Sequence, residues 1–135
     1  MKDERNGQYE QRKILQELKG ARQLLNQGHI KEALQIVLGL EKSDNNSSRE
    51  LLSIKLLKAD ILSDSGEFLE AINCTEDLFQ QFQKEKNLLS SFDTLLIQAR
   101  SLIMLGNISK GEPVVNQAET LLTKILVTIK KIFSI

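Results

Sequence analysis

The sequence predicts an all-α fold of three stacked antiparallel helical hairpins, six helices in all. Three observations lead there. Three glycine-centred phrases recur, at Ala21–Leu34, Ala59–Ile72 and Ala99–Glu112. Each has Ala seven residues before the glycine, Leu four before it, an apolar residue two after it and a small residue five after it. The glycines Gly28, Gly66 and Gly106 stand 38 and 40 residues apart, a period typical of helical repeats. Apolar residues between them fall at three-to-four-residue spacing, and nowhere alternate as a half-buried strand would. Composition is that of a globular chain, 41% hydrophobic and 27% charged, so a folded core is expected rather than a disordered tail. With only 4% aromatic residues and no Trp, that core must be aliphatic.

Residues 1–7 are polar and end in Gly7, so they are read as a flexible N-terminus. Residues 8–135 are read as one domain, with repeats at about 8–44, 47–86 and 88–135. The first helix starts near Gln8 and carries Ile14, Leu15, Leu18, Ala21, Leu24 and Leu25. Gly28 closes it, because glycine takes the left-handed conformation without a Cβ clash. The second helix starts near Ile30 and turns Ala33, Leu34, Val37, Leu38 and Leu40 inward. A turn follows at Ser43-Asp44-Asn45-Asn46. Ser47-Ser48-Arg49-Glu50 then reads as a capping box, in which the Ser47 hydroxyl and the Glu50 carboxylate each accept from the other's backbone N–H.

The third helix carries Leu51, Leu52, Ile54, Leu56, Leu57, Ile61 and Leu62, and Gly66 closes it. The fourth carries Phe68, Ala71, Ile72, Leu78, Phe79 and Phe82, up to a polar break at Lys84-Glu85-Lys86-Asn87. The fifth runs from Leu88 to its closing Gly106. The sixth is expected to start near Lys110 or Gly111, with Pro113 in its first turn, where a missing N–H has no intrahelical partner to lose. Ala21, Ala33, Ala59, Ala71, Ala99 and Gly111 are small where paired helices would approach most closely.

Function classes narrow quickly. Eighteen basic and 18 acidic residues give zero formal charge. No general affinity for a phosphate backbone is expected, so nucleic acid is not a predicted partner. Cys74 is the single cysteine, which rules out an intrachain disulfide. No Cys or His spacing suits zinc, and no glycine-rich phosphate loop is present. His29 falls in a predicted turn, and Cys74 on a helix, where packing explains it. Neither a metal nor a cofactor is predicted, and the chain is not expected to be an enzyme. The opening Met1-Lys2-Asp3-Glu4-Arg5 has no apolar stretch, so the expected location is cytoplasmic.

The segment Leu…Gly-x-apolar-x-x-Ala-apolar occurs as Leu24…Gly28-His29-Ile30…Ala33-Leu34 and as Leu62…Gly66-Glu67-Phe68…Ala71-Ile72. It resembles the tetratricopeptide repeat in a lengthened, divergent form, over roughly residues 8–125. The third copy departs from it, with Gly111 for Ala and Glu112 for the apolar residue. The family's first-helix Trp is replaced by Glu17, Lys55 and Leu95, and its Tyr by Leu24, Leu62 and Leu102. Its closing Pro is replaced by Asn45, Gln83 and Thr123.

The resemblance implies a right-handed α-solenoid whose first helices line a concave groove for a peptide or partner helix. Its groove positions fall on Leu18, Arg22, Leu25 and Asn26, on Leu56, Asp60, Ser63 and Asp64, and on Leu96, Arg100, Ile103 and Met104. Where some members clamp a peptide carboxylate with Lys and Asn, this chain has Leu18 and Arg22, so that activity is not expected.

The C-terminal stretch is unusually apolar. Leu122, Ile125, Leu126 and Ile129 are expected to pack on the preceding hairpin, which leaves Val127, Ile132, Phe133 and Ile135 without evident cover. Three readings are open: a homodimer seam or partner dock, the edge of a longer repeat array, and a membrane-surface helix anchored by Lys124, Lys130 and Lys131. The function predicted is a non-catalytic protein–protein interaction scaffold, self-associating through its last helix. The alternatives are a peripheral membrane adaptor, a shortened piece of a longer array, or a small regulatory protein whose groove holds a peptide signal.

Overall fold

The computed structural model describes residues 4–43 and 46–134. Among them are six helices and no strand: α1 (Glu4–Asn26), α2 (Ile30–Glu41), α3 (Ser48–Asp64), α4 (Phe68–Lys84), α5 (Leu88–Met104) and α6 (Ile108–Phe133). The chain divides into two compact units, Met1–Ser65 with α1 to α3 and Gly66–Ile135 with α4 to α6.

In the first unit, α1 is helical from Glu4, one turn ahead of the Gln8 start read from the sequence. It ends as its closing glycine requires. Gly28 has φ +86°. Its N–H donates to Leu25 O at 3.0 Å, and the His29 N–H donates to Leu24 O at 2.8 Å. This pair of bonds satisfies carbonyls that the helix end would leave open. The chain then reverses, so that Ile14 and Gly20 of α1 share a cleft with Gly39 and Leu40 of α2, an antiparallel pairing.

The capping box forms at the start of α3, with Glu50 N to Ser47 Oγ at 3.2 Å and Ser47 N to Glu50 Oε1 at 3.1 Å. Of the turn before it, Asp44 and Asn45 lie outside the described residues. The Asn46 side-chain amide donates to Leu40 O at 2.7 Å and to Ser43 O at 3.1 Å. Ile14, Ala21, Leu25, Ala33, Val37, Leu40, Ile54, Leu57 and Ile61 form the core of this unit.

In the second unit, α4 ends without a glycine. Lys86 takes φ +56°, its N–H donates to Gln83 O at 3.1 Å, and the Asn87 N–H donates to Phe82 O at 3.0 Å. The same closure is thus built on a residue that favours it less. Asn87 also caps α5, accepting from Ser90 N at 3.1 Å. Gly106, at φ +83°, repeats the glycine closure.

Two expectations for α6 are corrected. The helix starts at Ile108 behind the cap Asn107, whose side chain accepts from Lys110 N. Pro113 is therefore its sixth residue, in the second turn, where it removes the N–H that would bond the Ser109 carbonyl. The packing stripe is also displaced. Gly111, Ala118, Leu121 and Ile125 are buried, whereas Leu122, Leu126 and Ile129 are exposed. The small residues set this register. A Cβ on Gly111 would lie 2.9 Å from Ile103 Cγ1 and 3.7 Å from Ala99 O, so α6 approaches α5 closely there. Leu121 packs further along, with Leu95 and with Phe92 and Leu88, so the two helices run antiparallel.

Several core positions are polar. Thr75, Ser91, Thr94 and Ser101 are buried. Each hydroxyl donates to a backbone carbonyl three or four residues earlier, namely Ile72, Asn87, Ser90 and Ile97, at 2.6–2.8 Å. Self-satisfied hydroxyls let short side chains serve as spacers between helices without an orphaned donor.

Candidate functional site

In the first unit α1 and α3 touch, and the residues read as groove-lining form two parallel rows. Leu18, Arg22 and Asn26 follow one another at four-residue spacing on α1, and Leu56, Asp60 and Asp64 do so on α3. Such spacing keeps each row on one helix face. The two rows are equivalent under the glycine repeat, since Leu18 precedes Gly28 by as many residues as Leu56 precedes Gly66. Arg22 and Asp60 occupy equivalent places and meet, Arg22 Nη1 lying 2.5 Å from Asp60 Oδ2. On the other flank of α3, Lys58 Nζ reaches Glu41 Oε1 of α2 at 2.9 Å.

Leu18, Leu56 and Asp60 are half-buried, while Arg22, Asn26 and Asp64 are exposed. Leu25 and Ser63, also equivalent to each other, are 6% and 3% exposed. They stand behind the face, and Leu25 belongs to the core cluster. This face is therefore mixed: two leucines at one end, an ion pair in the middle, and Asn26 and Asp64 at the other end.

In the second unit, Leu96, Arg100 and Met104 form the same row on α5, and all three are exposed. Ile103, the counterpart of Leu25 and Ser63, is exposed instead and lies over Gly111. The third phrase thus departs from the first two at the place where its sequence does.

A cleft of about 570 Å³ opens between α1 and α2, lined by Ile14, Ile36 and Leu40 with Glu10, Lys13 and Glu17 at its polar edge. Sequence reasoning missed it, although Gly20 and Gly39, which lack side chains to fill it, were its signal. A smaller hollow of about 230 Å³ in the second unit is lined by Phe79, Leu95, Leu121 and Lys124.

His29 is exposed at the N-cap position of α2 and makes no side-chain cap bond. Cys74 is half-buried on α4. Among the described residues no group of three His, Cys, Asp or Glu side chains is placed to hold a metal ion.

At the far end of α6, Val127, Ile132 and Phe133 are 48%, 69% and 67% exposed. Ile135 lies outside the described residues. Among the described residues, no helix is long and apolar enough to cross a membrane.

Comparison with protein-family models, with curated proteins and with solved structures finds no match to this chain.

Proposed function

We propose that this chain is a non-catalytic interaction scaffold of the tetratricopeptide type, which binds a peptide or a partner helix on the exposed faces of its first helices. The observation that carries the reading is the correspondence of the two rows on α1 and α3, joined at Arg22 and Asp60. Repeated hairpins that set equivalent positions side by side create a continuous strip of alternating chemistry. Such a strip suits an extended or helical segment better than a compact small molecule. The mixed character of the face also fits a partner that pairs apolar side chains with Leu18 and Leu56 and polar ones with Asn26 and Asp64.

The test is selection of peptides from a displayed random library on the immobilised chain, followed by titration of the selected sequences. Leu18→Asp and Asn26→Lys are expected to weaken binding at least tenfold, and Glu32→Lys on α2 to leave it unchanged. Equal loss from all three variants, or from none, would count against the assignment.

A further inference from the structure

Along α6, Val115, Glu119, Leu122, Leu126, Ile129 and Phe133 alternate at spacings of four and three residues, the repeat by which one helix presents a seam to another. At roughly 100° per residue they fall, together with Lys130, within an arc of about 100°. The arc borders the side on which Gly111, Ala118, Leu121 and Ile125 are buried. Val115 is half-buried and the other members of the arc are exposed. Lys124, Val127 and Lys131 point away from it.

The first unit shows what such a surface receives. There Ile54, Leu57 and Ile61 bring α3 into the core that α2 shares, and Lys58 of α3 donates to Glu41 of α2 at 2.9 Å. Glu119 stands as many residues after Gly106 as Glu41 stands after Gly28. The α3 pattern Ile54-x-x-Leu57-Lys58-x-x-Ile61 returns on α6 as Leu126-x-x-Ile129-Lys130-x-x-Phe133. One exposed helix thus carries both the receiving carboxylate and the apolar-and-lysine pattern that answers it.

We propose that two copies of this chain pair through α6, with the two helices antiparallel. About a two-fold axis level with Lys124, Leu122 of one copy faces the partner's Leu126, Glu119 faces the partner's Lys130, and Val115 faces the partner's Phe133. Charge and spacing select this occupant together. A parallel pair would set Glu119 against Glu119, whereas the antiparallel pair gives each carboxylate an ammonium group and keeps the apolar residues opposite one another. The two halves of the seam are complementary to each other, which is what a two-fold interface between identical chains requires. The proposal is independent of the peptide-binding rows on the first helices.

The test is the solution mass of the full chain, by size-exclusion chromatography with light scattering over a wide concentration range. The expected mass is twice 15.3 kDa. Leu122→Gln with Leu126→Gln is expected to give a monomer, and Val127→Gln to leave the dimer intact. Glu119→Lys alone, or Lys130→Glu alone, is expected to weaken the dimer on the order of tenfold, since each dimer loses two contacts. The two charge changes combined restore it. All these positions are exposed, and circular dichroism checks that the variants stay helical. A monomeric mass at every concentration overturns the proposal, as does a dimer that the double leucine variant leaves intact. Failure of the combined charge change to restore the dimer overturns the antiparallel register. A monomer that instead sediments with phosphatidylserine vesicles gives the face to a lipid surface.

Discussion

Arg22 and Asp60 occupy the same place in successive glycine phrases, six residues before Gly28 and Gly66, and their side chains meet in an ion pair that ties α1 to α3. The Arg22 side chain is 44% exposed and that of Asp60 17%, so the pair is only partly shielded from water. A double-mutant cycle of Arg22→Ala and Asp60→Ala, read by chemical denaturation, is expected to give a coupling of about 0.2–1 kcal/mol. The coupling should shrink as salt rises. A coupling of zero would make the pair incidental to the packing of α1 on α3.

The helix ends give a set of opposite signs. Gly66 has φ +89°, so Gly66→Ala is expected to cost about 1–2 kcal/mol of stability. Gly39 lies inside α2 with nothing within 4 Å of an added Cβ, so Gly39→Ala is expected to stabilise by about 0.5–1 kcal/mol. Lys86 holds φ +56° where its counterparts are glycines, and Lys86→Gly is expected to stabilise by about 1 kcal/mol. Denaturation midpoints of the three variants check all three signs.

These ends also show what was legible in the sequence. The glycine closures could be read because glycine has one overriding reason to recur at helix ends. The closure at Lys86 could not, because its backbone conformation is imposed by the Asn87 N–H bonding back to Phe82 O. The register of α6 was misread for another reason. In a segment apolar on most sides, several stripes satisfy helical spacing equally well. The deciding clue was size: Gly111 and Ala118 mark where α5 comes close. The candidate face was legible as rows of residues, but the burial of Leu25 and Ser63 behind it was not, since it depends on which neighbours cover those turns.

The α5–α6 contact predicts a steric effect. A single added Cβ at Gly111 already meets Ile103, so Gly111→Leu is expected to destabilise by about 1–3 kcal/mol through overpacking. Gly111→Leu combined with Ile103→Ala should recover part of that loss, because the second change clears the contact. Absence of any rescue would mean that backbone crowding, rather than Ile103, limits the approach.

The capping box offers a local check. Ser47→Ala removes the acceptor for the Glu50 N–H and is expected to cost about 1 kcal/mol. Ser47→Asp should retain most of the stability, since a carboxylate can accept the same bond at a helix start.

The most direct test of the scaffold assignment is where a selected peptide binds, mapped by backbone and methyl chemical-shift changes in the labelled chain. The largest changes are expected to cluster on the first-helix rows, around Leu18, Arg22, Asn26, Leu56, Asp60 and Asp64 or around Leu96, Arg100 and Met104. Changes centred on the outer faces of α2 or α4, with the first-helix rows undisturbed, would contradict it.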